Sequence, residues 1–147
     1  MIPAKKFEEF VRDGIVKQVA KNQNRANNLI AESERKYLSL KVMLEKLGIT
    51  NENANDYVEY CYDIFMHLVR AKMLLAGYNA SGFGAHEAEV AYMRILNFNE
   101  NDVQFANQLR FFRNGMLYYG TRLDKIYAEK VIEFTKRMYL KLKELVI

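Results

Sequence analysis

The segment richest in potential chemistry is Leu109-Arg110-Phe111-Phe112-Arg113-Asn114-Gly115-Met116-Leu117-Tyr118-Tyr119-Gly120. It sets two guanidinium groups and a carboxamide into an aromatic, apolar run. A guanidinium is costly to take out of water unless it is paired, so an arginine here needs an acidic partner or an anionic ligand. Arg113, with the polar Asn114 beside it, is the leading candidate for such a site. Tyr118 and Tyr119 add two aromatic rings, each with a hydroxyl, at the end of the segment. Arg110 and Arg122 extend the basic rim. The competing arrangement leaves Arg113 and Asn114 on the solvated side of an amphipathic helix, with no ligand at all. On a straight helix, positions five apart lie about 140° from one another. Arg113 and Tyr118 therefore converge only if the helix unwinds near Gly115 or Gly120, or if two chains build the cleft.

Few other residues offer chemistry. His86 with Glu87 is either a second polar constellation or the cap of a short helix. His67 lies in an apolar helix, as core or interface histidines do, and Cys61 sits on a buried stripe as a small hydrophobe. One cysteine and two histidines exclude an intrachain disulfide, a cysteine-rich zinc cage and most histidine metal sites. No metal or cofactor is expected. There is no Walker glycine loop, no Cys-x-x-Cys pair and no Gly-x-Ser-x-Gly elbow, which argues against P-loop hydrolases, zinc modules and serine hydrolases.

The elements that carry these residues read as helices. Ala26, Ile30, Ser33, Tyr37, Leu40, Leu44 and Leu47 step by four and three, which fits one long helix ending at Gly48. Upstream, Phe7, Phe10, Val11, Gly14 and Ile15 follow the same period, as a separate short helix or an extension. A second main helix is expected from about Asp56 to Ala76, with Val58, Cys61, Phe65, Leu68 and Leu75 buried. Its apolar circumference makes it central or partner-facing. Gly77 to Gly84 reads as the one flexible loop, followed by a short helix from roughly His86 to Leu96. The candidate segment belongs to a helix from Asn101 to Tyr119, stopped by Gly120. Thr121 is expected to cap the last helix, whose stripe is Leu123, Tyr127, Val131, Phe134, Met138, Leu142 and Leu145. Late basic residues (Lys136, Arg137, Lys141, Lys143) suit its dipole. Asparagine clusters at 51–55 and 97–101 supply turns and N-caps. No segment alternates convincingly with period two. The expected fold is all-α: a four-helix up-down bundle with one or two short extra helices, in one domain over residues 1–147.

The composition agrees with a soluble domain. The chain has 147 residues, half of them hydrophobic, and 27% charged, enough to bury a core without disulfides. No apolar run is long enough to span a membrane, and the N-terminus lacks the apolar stretch of a signal peptide. A cytoplasmic protein without membrane contact is expected. Charge is uneven. Residues 1–50 hold 10 Lys/Arg and 6 Asp/Glu, residues 51–100 hold 3 and 7, and residues 101–147 hold 9 and 5. Basic ends around an acidic middle allow both phosphate attraction and self-association.

Arg113-Asn114, the helix order, and the Ser81-Gly-Phe-Gly-Ala-His86-Glu87 connection together resemble the HEPN domains (higher eukaryotes and prokaryotes nucleotide-binding). These are small helical bundles, often dimeric. Many carry an arginine, an adjacent polar residue and a histidine four to six residues beyond the arginine. A His-Glu pair recurs at the break after the second main helix. The resemblance implies a homodimer that binds RNA or nucleotide in a shared cleft, with Arg113 holding the phosphate and steadying developing charge, Asn114 fixing the phosphate or orienting its partner, Tyr118 and Tyr119 stacking on bases, and Arg110 and Arg122 extending the basic rim. In catalytic members, arginine and histidine from two protomers cut RNA without metal, by attack of a ribose 2′-OH on the adjacent phosphate. Here Tyr118 or Tyr119 stands where that histidine would fall. Tyrosine, with a pKa of about 10, is a poor base near neutrality, so the resemblance implies binding more than turnover. It also implies the alternative of a non-catalytic module, partner to a minimal nucleotidyltransferase in a toxin–antitoxin pair or part of a larger assembly.

Overall fold

The computed structural model describes residues 2–146, without the side chain of residue 146. The described residues form six helices and one small antiparallel sheet, in the order α1 (Phe7–Arg12), β1 (Val16–Gln18), α2 (Gln23–Leu47), α3 (Ala54–Leu75), β2 (Tyr78–Ala80), α4 (Ala85–Ile95), α5 (Glu100–Tyr119) and α6 (Lys125–Val146). The all-helical expectation holds for most of the chain. Among the described residues, no helix is long and apolar enough to cross a membrane.

Asparagine side chains start α2 and α5. Asn22 Oδ1 accepts from the Arg25 amide at 3.0 Å and Asn99 Oδ1 from the Asp102 amide at 2.8 Å, each satisfying a donor the first turn leaves unpaired. Thr50 and Asn53 bond each other's backbone N–H with their side chains, at 2.8 and 3.2 Å, just ahead of α3. The last helix differs from expectation. Asp124, not Thr121, caps it: its Oδ1 accepts the Tyr127 amide at 2.8 Å and its carbonyl the Ala128 amide. The Thr121 position is already taken up in closing α5, since its N–H donates to the Gly115 carbonyl.

α3 is the hub: α2, α4, α5 and α6 all pack on it. Tyr57, Cys61, Ile64, Phe65, Met66, Leu68 and Met73 are buried on several of its sides, as its apolar circumference requires. Phe65 meets Phe134 of α6 edge-on at 5.4 Å, and Phe134 meets Phe105 of α5 at 4.6 Å. Burial pushes the Cys61 thiol up to about 12, consistent with a packed side chain.

The 77–84 connection is not simply a loop. Tyr78–Ala80 pairs with Val16–Gln18, with Val16 opposite Ala80 and Gln18 opposite Tyr78. Three-residue strands are too short to display an alternation, which is why none is legible in the sequence. The pairing also makes α1 a separate helix from α2, and it anchors the chain entering 81–84 on the body of the molecule.

Candidate functional site

Arg110, Asn114 and Tyr118 follow one another by four residues on α5, so each is only about 40° around the helix from the last. Together they line a cavity of about 360 Å³ whose opposite wall is the 82–87 segment, with Phe83, His86 and Glu87. α5 stays helical through Gly115 to Tyr119 and ends at Gly120, which adopts φ +65°. The helix therefore does not unwind where convergence of Arg113 and Tyr118 would need it.

Arg113 points elsewhere. Its guanidinium lies against α3, 3.6 Å from Asp63 and 4.0 Å from Glu59, and over the Tyr62 ring at 5.6 Å. Its Nε is buried without a hydrogen-bond partner among the described residues. Arg122 leans toward the Asn51 and Glu52 carbonyls at 3.4 Å, and Tyr119 is exposed at the helix end. Of the residues singled out by sequence, Arg110, Asn114 and Tyr118 are brought together, whereas Arg113, Tyr119 and Arg122 do not line this cavity.

The residue that sequence reasoning underrated is His86. It does not merely begin a helix. Its Nδ1 lies 3.2 Å from Glu89 Oε1, one turn on along α4. Glu89 is buried and grips Arg70 of α3 in a two-pronged pair, Nε to Oε2 at 2.5 Å and Nη2 to Oε1 at 2.9 Å. Burial pushes the Glu89 carboxyl up, but the bonds from Arg70 and His86 and their charges outweigh it and hold it below the ordinary carboxylate range. The available signal was the i, i+3 spacing of His86 and Glu89 on a helix, obscured by the adjacent Glu87.

Arg110 is held more lightly. Its Nε donates to Asn107 Oδ1 at 2.9 Å, and Nη2 is 3.9 Å from Glu87 Oε1. Glu87 is itself steadied by the Lys5 amide at 3.3 Å, in an N-terminal strap that Arg94 fixes through the Ala4 and Lys5 carbonyls. Tyr62 lies behind the site, its hydroxyl buried without a partner among the described residues. Burial first, then the Glu89 charge, raises its pKa against the opposing pull of Arg110, Arg113 and Arg70. Tyr62 is a neutral packed side chain, not a lining residue of the cavity.

The mouth of the cavity is aromatic. The Phe83 ring is fully exposed and Tyr118 is 77% exposed. A cation, an amide, an imidazole and two open rings can accept a phosphate with flanking bases. Two larger cavities hold cations but lack an imidazole and exposed rings. One, of about 820 Å³ between α5 and α6, is walled by Phe105, Phe134, Ile126 and Leu140. It also contains Arg137, which is bonded to Asp102 at 2.9 and 3.0 Å. The other, of about 870 Å³, runs beside the N-terminal strap, where Arg94 is taken up by Glu100 and the strap carbonyls. Among the described residues, no three His, Cys, Asp or Glu side chains gather as a metal-binding group. Comparison of the chain with protein-family models, with curated proteins and with solved structures returns no match.

Proposed function

We propose that this chain is a HEPN-like helical bundle that binds single-stranded RNA or a nucleotide in the cavity between α5 and the 82–87 segment. The observation that carries the proposal is the convergence of Arg110, Asn114 and His86 under the exposed rings of Phe83 and Tyr118. Arg110 pairs with a phosphate, Asn114 donates to its oxygens, and the two rings stack on adjacent bases. Glu87 is the anion that a phosphate displaces from Arg110. Arg113 supports the site from behind, by fastening α5 to Asp63 and Glu59 of α3. Phe111 and Leu117, half-exposed beside the mouth, favour a second copy across the cleft, so a homodimer is part of the proposal.

The test is binding of a fluorescent RNA oligonucleotide across a salt series. The expected result is salt-dependent binding that Arg110→Ala weakens. The same variant reduces the slope of log K against log salt by about 0.7, because one phosphate of the single strand is no longer neutralised. Glu87→Gln is expected to tighten binding. Equal affinity of wild type and Arg110→Ala rejects the proposed site.

A second reading is the non-catalytic partner of a nucleotidyltransferase. The groove between α5 and α6 favours it, because Ile126 and Leu140 stand exposed at its two ends with the charged side chains of Glu129, Lys130, Glu133, Lys136 and Arg137 between them. A protein blind to RNA that forms a complex with a minimal nucleotidyltransferase through that face selects this reading.

A further inference from the structure

We infer that residues 2–5 form a positioning strap that keeps Arg110 open to a phosphate, fastened by Arg94 and Asn107, and that detaching the strap closes the site. The inference rests on the binding proposal above and adds its regulation. Both groups that hold Arg110 are also bonded to the strap. Asn107, fully buried on α5, donates from Nδ2 to the Ile2 carbonyl at 3.3 Å and accepts from Arg110 Nε at 2.9 Å. Turning that carboxamide over sets oxygen against oxygen and N–H against N–H, so the strap carbonyl fixes the end that Asn107 shows to Arg110. Glu87 of α4 accepts the Lys5 amide on Oε2 at 3.3 Å, and its Oε1 stops 3.9 Å from Arg110 Nη2. That is an ion pair without a hydrogen bond. The strap itself is tied down by Arg94 of α4, whose Nη1 and Nη2 donate to the Lys5 and Ala4 carbonyls at 2.7 and 2.9 Å, and by the burial of Ala4.

Detachment changes both partners of Arg110. The Lys5 amide no longer holds Oε2, and Glu87 is free to turn both oxygens on the guanidinium. An arginine and a carboxylate form a two-pronged, charge-assisted pair where the geometry allows it. Here the two side chains are only 19% and 25% exposed, so water competes weakly for either. Asn107 at the same time loses the bond that sets its orientation and loosens its hold on Nε. Arg110 then closes on Glu87, and a phosphate must break a full hydrogen-bonded pair to enter. With the strap docked, the phosphate displaces a carboxylate that is not hydrogen-bonded to Arg110. None of residues 2–5 lines the cavity, so the strap acts through Asn107 and Glu87 and not by touching the ligand.

The experiment uses the full chain and the fluorescent RNA oligonucleotide, comparing wild type, Arg94→Gln, Glu87→Gln, the double variant and Glu100→Gln. Arg94→Gln is expected to weaken binding at least about 5-fold. In the Glu87→Gln background the same change is expected to alter affinity by under about 2-fold, because no carboxylate remains to close on Arg110. Glu100→Gln removes the other partner of Arg94, leaves the strap carbonyls bonded, and is expected to bind as wild type. A second readout needs no variant. Coupling is reciprocal, so saturating oligonucleotide is expected to slow hydrogen exchange of the wild-type Lys5 amide by at least about 5-fold. Equal affinity of wild type and Arg94→Gln overturns the inference. So does an equal loss in the Glu87→Gln background, an equal loss from Glu100→Gln, or a Lys5 amide indifferent to bound oligonucleotide. Should Arg94→Gln not fold, the exchange of the wild type decides alone. A wild type that does not bind the oligonucleotide overturns the binding proposal itself, and this inference with it.

Discussion

Glu89→Ala is expected to be among the most destabilising single changes at the site. The Glu89 side chain is only 5% exposed and accepts three hydrogen bonds, two from Arg70 and one from His86. Removing one partner of a buried pair costs about 3–5 kcal/mol, because the other charge stays behind. Arg70 is 23% exposed, so water recovers part of that loss, and about 3 kcal/mol is expected. With a urea m-value of about 2 kcal/mol/M for a chain of this size, the unfolding midpoint falls by about 1.5 M. The assay is urea unfolding followed by circular dichroism and by tyrosine fluorescence, which must coincide for the comparison to hold. A double-mutant cycle completes it. Arg70→Met with Glu89→Leu removes both charges and is expected to regain most of the stability that either single change loses. His86→Ala alone is expected to cost under about 1 kcal/mol, since that side chain is mostly exposed. A midpoint shift below about 0.4 M for Glu89→Ala, or additive losses in the cycle, refutes the claim that this pair is a buried clamp between α3 and α4.

Gly120→Ala is expected to cost about 1 kcal/mol, because φ is +65° there and nothing lies within 4 Å to clash, leaving only the backbone penalty. Thermal unfolding should show a fall of about 2–4 °C. The Arg94 hydrogen bond, then that of Gln104, holds the Glu100 carboxyl at about 2, below its ordinary 4.5. Its contribution is therefore complete above pH 4.5 and is lost as pH falls toward 2. Glu100 is 59% exposed, so screening limits that contribution to about 1 kcal/mol. Stability measured against pH should show wild type and Glu100→Gln converging between pH 4.5 and 2. The Cys61 thiol, fully buried and pushed up to about 12, should react with a thiol reagent only as fast as the protein opens. Modification kinetics with and without urea check this; rapid labelling of the native protein contradicts the packing.

The sequence by itself determined where the helices lie and most of what ends them. Apolar steps of three and four residues, asparagine caps and glycine stops are local features, set by interactions a few residues long. The stripe from Ala26 to Leu44 and the stop at Gly48 appear in the structure as α2 and its cap. The sequence also held the spacing of Arg110, Asn114 and Tyr118, and of His86 and Glu89, although adjacent-residue motifs drew attention to Arg113-Asn114 and His86-Glu87 instead. On a helix, neighbours in sequence face about 100° apart, whereas residues three or four apart share a side. What only the tertiary structure decided is the rotation of α5 against α3. That rotation turns Arg113 toward Asp63 and Glu59 and Arg110 toward Glu87 and the 82–87 segment. The pairing of Val16–Gln18 with Tyr78–Ala80 and of Arg70 with Glu89 was likewise settled there. Each joins residues 19 or more positions apart, and the packing of whole helices and the chain path between them, not any local pattern, brings those partners within reach.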